Sequence, residues 1–165
     1  MVFGVFIDVP LIVGGFFIMF RFRNRLARSI LKVKLPTLAL YLALSVPLII
    51  FEEQIDCMPA WCGAVIIPPT LPFLFIEMFV LGGVVLWKHA RNVPRVTLVF
   101  SVYGVLFEIF LGGLVGAPPI IIMLLAPYVA VGYAFISLLP LTVLVNGEAG
   151  KVVGPTGPPQ AVSSV

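Results

Sequence analysis

The chain has 165 residues, 61% of them hydrophobic and only 10% charged, with a mean hydropathy of +1.20 and a formal net charge of +3. These proportions exclude a soluble globular domain. A bilayer core about 30 Å thick needs roughly 20 apolar residues per helix, so the chain holds about five spans and no separate soluble catalytic domain. The expected fold is all-α, a polytopic transmembrane helical bundle in the cell membrane.

The basic residues fall in gaps between apolar runs. Arg21, Arg23, Arg25, Arg28, Lys32 and Lys34 occupy one gap, and Lys88, Arg91 and Arg95 another. Both gaps are expected to be cytoplasmic under the positive-inside rule, which accounts for the net charge without a nucleic-acid partner. The gaps Glu52 to Thr70 and Val115 to Pro118 hold no Lys or Arg. The segment Met1 to Phe20 lacks a basic n-region and carries Asp8, so it reads as a retained first span.

In chain order, the first span is expected over Val2 to Phe20, with Gly4, Asp8 and Gly15 on one helical face. Residues 21–35 are basic and amphipathic enough to lie along the inner surface. The second span runs from Pro36 to Phe51 and contains Pro47, which predicts a kink or a locally opened backbone. An outer loop follows, carrying Cys57, Trp61 and Cys62. The third span covers Val65 to Trp87, with Glu77 near its middle. The fourth covers Val96 to Ala117, where Ser101, Gly104, Glu108 and Gly112 make a stripe of small residues around one carboxylate. Gly112 and Gly116 then form a GxxxG close-packing motif at its outer end. The fifth span, Pro118 to Val145, is interrupted by Pro127 and Pro140 and carries Tyr128, Tyr133, Ser137 and Thr142. The tail, Asn146 to Val165, is rich in Gly, Pro and Ser and reads as a disordered cytoplasmic end. Five spans place the N-terminus outside and the C-terminus inside, with all ten basic residues on the inner side.

An internal repeat runs through this pattern. Ser45-Val-Pro-Leu-Ile-Ile-Phe-Glu52 and Ser101-Val-Tyr-Gly-Val-Leu-Phe-Glu108 share Ser, Val, Phe and Glu at four places. Ile7-Asp8 with Gly14-Gly15 likewise parallels Ile76-Glu77 with Gly82-Gly83. Spans one-two and three-four then form a parallel duplication of a two-helix hairpin, with span five left over. The match is imperfect, because the distance from Thr37 to Glu52 exceeds that from Thr97 to Glu108 by about one turn.

The chemistry is expected at the acids. At 1.5 Å per residue, Glu77 lies about 16 Å above Lys88 and Glu108 about 20 Å above Arg95, both near the bilayer midplane. Asp8 lies at a similar height and Glu52 nearer the outer interface. A carboxylate at that depth costs several kcal/mol unless it faces protein or water, which makes it a functional candidate. Two such groups on one hairpin can share a proton, with Ser101 and Tyr133 as supporting hydroxyls. The alternative is protonated glutamates acting only as packing glue between helices. Cys57 and Cys62 form a candidate disulfide on the outer side, and with no CxxC and no second pair a redox relay is disfavoured. Two thiols and a single histidine, His89 in a basic turn, argue against a zinc site or a bis-His haem, so no metal or cofactor is expected.

The leading expectation is a small transport protein, moving protons, a cation or a small polar solute past Glu77, Glu108, Asp8 and Glu52. One rival is an intramembrane enzyme acting on a lipid or isoprenoid with a Glu general acid, which an apolar cavity open sideways to lipid would favour over a polar path. The other is a non-catalytic subunit of a membrane complex. Membrane lipid is the expected partner, with a homo-oligomer or unlike membrane subunits compatible with the small size.

Overall fold

The computed structural model describes residues 2–56, 71–112 and 114–152, with side chains from Val9 to Ile55 and from Leu71 to Gly150 apart from residue 113. Among these the backbone forms five α-helices and no strand: α1 (Val2–Ile30), α2 (Thr37–Asp56), α3 (Leu71–Trp87), α4 (Val93–Phe110) and α5 (Pro119–Val152). The Cys57/Cys62 loop, the start of the expected third span and the tail beyond Val152 lie outside the described residues.

Thr37–Ile55, Val93–Phe110 and Pro119–Gly150 are each long and apolar enough to cross a membrane. Leu71–Trp87 is apolar but shorter. The surface agrees with a lipid solvent: Phe17, Phe73, Leu98, Phe110, Met123 and Leu124 all stand exposed. In water, so continuous an apolar surface would drive aggregation.

The organising element is α5. Every residue from Gly132 to Leu144 is buried, and the helix packs against α1, α2 and α4, while α2 also packs against α3. Close approach is bought by glycines facing aromatic rings. Phe135 of α5 lies over Gly15 of α1, where an added methyl would come within 2.9 Å of the ring. Tyr41 of α2 lies over Gly82 of α3, where the same methyl would come within 2.7 Å, and its hydroxyl donates to the Met78 carbonyl at 2.6 Å. Tyr133 of α5 lies so close over Gly104 of α4 that a methyl there would overlap its ring. Without a hydrophobic driving force between helices in lipid, such fits supply much of the packing energy.

Four buried hydroxyls are satisfied within their own helices. Ser45 Oγ donates to Tyr41 O at 2.9 Å, Ser101 Oγ to Thr97 O at 2.9 Å, Ser137 Oγ to Tyr133 O at 2.7 Å and Thr142 Oγ1 to Leu138 O at 2.7 Å. These bonds to the carbonyl one turn back leave each hydroxyl turned away from its neighbours.

Three expectations are refined. The basic segment after Phe20 continues α1 as helix to Ile30, because no Pro or Gly interrupts it, and Ala27 anchors it against Leu40 and Val143. The fourth helix starts at Val93, where the Asn92 side chain accepts from the Arg95 amide at 3.1 Å as N-cap. It stops at Phe110, so Gly112 and Gly116 are not a helical packing motif. Gly116 instead takes a left-handed φ of +75° in the turn towards α5.

Turn chemistry also closes α3. His89 has φ +49°, its amide donates to Leu86 O at 3.3 Å, and Ala90 N donates to Val85 O at 3.0 Å. This is a Schellman cap with histidine in the position that glycine prefers. Replacing His89 by Gly is expected to stabilise the fold by up to about 1 kcal/mol, read as a raised thermal midpoint in detergent. An unchanged or lowered midpoint would argue against the cap geometry.

Candidate functional site

Helices α3 and α4 are antiparallel neighbours joined by the five residues Lys88 to Asn92, yet they diverge from each other. Between them lies a groove of about 780 Å³. Its walls are apolar: Ile76, Val80, Leu81, Val84 and Val85 from α3 face Val96, Val99 and Phe100 from α4. Several of these side chains, Ile76, Val80, Val84 and Val99 among them, are exposed, so the groove opens sideways. Its polar groups stand at two ends. Lys88, Arg91, Asn92 and Arg95 line the end at the turn, and Glu77 with Tyr103 lies deep in the groove, about 16 Å along α3 from Lys88.

Glu77 is half-buried, and its Oε1 accepts a hydrogen bond from the Tyr103 hydroxyl at 3.2 Å. Its Oε2 is buried with no hydrogen-bond partner. Behind this pair, Phe100 stacks on Tyr103 at 5.9 Å between ring centroids and meets Tyr133 edge-on at 5.4 Å. Tyr133 is 4% exposed, and its hydroxyl also lacks a hydrogen-bond partner. That hydroxyl lies within electrostatic reach of Glu52, Glu77, Glu108 and Tyr103. A buried polar group left unpaired costs about 1–3 kcal/mol, so two in one cluster mark a place prepared for something other than packing.

Of the expected site residues, Glu52, Glu77 and Glu108 all act electrostatically on Tyr133, and only Glu77 lines the groove. Glu77 and Glu108 interact electrostatically, and Glu108 folds its carboxyl back over Gly112. Glu52 rests against α5, where a methyl on Gly132 would come within 2.6 Å of its Oε1. Ser101 is on the same helical face but bonded back to Thr97, outside the cluster. Asp8 is in α1, its side chain outside the described residues, as are Cys57 and Cys62. Among the described residues no group of three His, Cys, Asp or Glu could hold a metal ion.

No family model matches the chain, and neither does any curated protein or solved structure.

Tyr103 is the contact that sequence reasoning passed over. Glu77 and Tyr103 lie equally far from Ala90 on either side of the turn, so an antiparallel hairpin sets them opposite each other. Glu108 lies five residues further along α4, about 7.5 Å higher. Counting outward from the turn would have paired the glutamate with the tyrosine.

Proposed function

We propose that this is a multi-pass cell-membrane protein acting on a lipid-like substrate that enters the α3–α4 groove sideways from the bilayer, with Glu77 as proton donor. One observation carries the reading: a carboxyl held by Tyr103 stands deep in an apolar groove that opens towards lipid. Tyr103 donates to Oε1 and orients the carboxyl, while Oε2, buried and without a partner, reaches a substrate only when the carboxyl turns outward into the groove. Proton transfer from Glu77 to a basic or unsaturated centre leaves a carboxylate facing the cation so formed.

Transport of protons, a cation or a small polar solute is the second reading. It is favoured by the convergence of Glu52, Glu77 and Glu108 on Tyr133, more acid than a single proton donor needs. The back-bonded hydroxyls of Ser45, Ser101, Ser137 and Thr142 weigh against a polar path along the bundle.

The orientation proposed is N-terminus outside and C-terminus cytoplasmic. Its support is that Arg23 and Arg91 line a common cavity of about 490 Å³ with Thr142 and Asn146, so both basic gaps meet at one end of the bundle. The proposed duplication has mixed support. Ser45 and Ser101 are equivalent in burial and bonding, but Gly15 is covered by a ring while its counterpart Gly83 faces open space.

The test is untargeted. Proteoliposomes made from a host lipid extract are compared by mass spectrometry for wild type and Glu77→Gln. The reading predicts a lipid species consumed, and a product formed, only with wild type. An unchanged lipid profile accompanied by Glu77-dependent proton or cation flux would replace it with transport.

A further inference from the structure

The turn end of the groove holds three exposed cations, Lys88, Arg91 and Arg95, two of them on either side of the Asn92 cap. Lys88 Nζ lies 4.2 Å from the ring centroid of the exposed Trp87, a pairing suited to headgroup depth. The groove mouth also sits at the N-terminus of α4, where the helix dipole adds to the positive potential. From that mouth the walls are apolar as far as Glu77, about 16 Å along α3. Cationic mouth, apolar shaft and lateral opening are complementary to an amphiphile with a negative head and a hydrocarbon chain.

We infer that the groove binds one anionic lipid of the bilayer, its headgroup on Lys88, Arg91 and Arg95 and a chain lying between α3 and α4 towards Glu77. The inference deepens the lipid reading above and rests on it for the role of Glu77, but the binding is measurable without turnover. The head is held at the mouth while Glu77 and Tyr103 face the chain, so any chemistry falls on the chain rather than the headgroup. A basic surface alone would attract anionic lipid from any side. A groove site needs these three cations together with an open shaft.

The experiment uses the full chain in uncharged detergent, offered equal amounts of phosphatidylglycerol and phosphatidylcholine with identical chains, and counts retained lipids by native mass spectrometry. The expected result is one phosphatidylglycerol per chain, preferred about tenfold or more over phosphatidylcholine. That preference should vanish in Lys88→Gln/Arg91→Gln/Arg95→Gln and in Val80→Trp, which fills the shaft and leaves every charge in place. It should persist in Arg25→Gln/Lys32→Gln/Lys34→Gln, which removes as many charges elsewhere. No preference in wild type, or a preference that survives the first two variants or is lost equally in the third, overturns the site. If binding fails this test while Glu77-dependent lipid conversion persists, the headgroup assignment falls and the lipid reading stands. If binding holds and conversion is absent, the site is a binding site only and the catalytic reading falls.

Discussion

Placing valine at Gly104 is expected to unfold much of the α4–α5 interface. The added side chain begins inside the Tyr133 ring, and Tyr133 is itself buried, 4% exposed, with Phe100 packed edge-on against it. Neither partner has room to yield. Overpacking of this kind costs about 1–3 kcal/mol and sometimes more, a large part of a typical total near 5–15 kcal/mol. The measurement is the thermal midpoint and monodispersity in detergent of Gly104→Val and the milder Gly104→Ala. Because the clash is with one named ring, Tyr133→Ala should partly rescue Gly104→Ala, a favourable coupling of about 1–3 kcal/mol in a double-mutant cycle. Independent, additive effects would mean that the two residues are not in contact.

Glu77→Gln is expected to lower lipid conversion by about 10²–10⁴, the usual contribution of a positioned general acid. The amide keeps the size of the carboxyl and can still accept from Tyr103, so folding and lipid binding should be unaffected. Tyr103→Phe removes only the hydrogen bond that orients the carboxyl. It should therefore fall between wild type and Glu77→Gln. A loss in Tyr103→Phe as deep as in Glu77→Gln would instead assign the proton to the tyrosine. Gly132 offers no equivalent probe, because any side chain there displaces Glu52 as well.

How much of this was legible in the residues depends on which physical signal each feature leaves. The apolar stretches and the two basic gaps are written in hydropathy and charge, and α2, α4 and α5 start within a turn of where those signals put them, although their ends differ by five to seven residues. The central place of α5 left no such trace. Residues 123–125 are exposed and 132–144 buried, yet both segments are predominantly apolar. In lipid, hydrophobicity does not report burial, because the solvent is as apolar as the core. Only the small residues facing rings, Gly15, Gly82 and Gly104, distinguish the inner faces, and a glycine does not announce which ring covers it.

Helix ends were legible in part. Asn92 followed by Pro94 is a readable start, whereas Gly112 and Gly116 fit a helical packing motif as well as a turn until the φ of Gly116 is known. At the site, the midplane depth of Glu77 and Glu108 follows from counting residues. The groove does not, because divergence of two helices is set by what α2 and α5 hold from behind.

The most direct test of a carboxyl reached from lipid is its reactivity towards two carbodiimides in sealed vesicles, mapped by peptide mass spectrometry. The account predicts that a bilayer-soluble carbodiimide modifies Glu77, that Val80→Trp suppresses this modification, and that a water-soluble carbodiimide leaves Glu77 unmodified. Modification of Glu77 by the water-soluble reagent, with none from the bilayer-soluble one, would contradict it and place the carboxyl on an aqueous path.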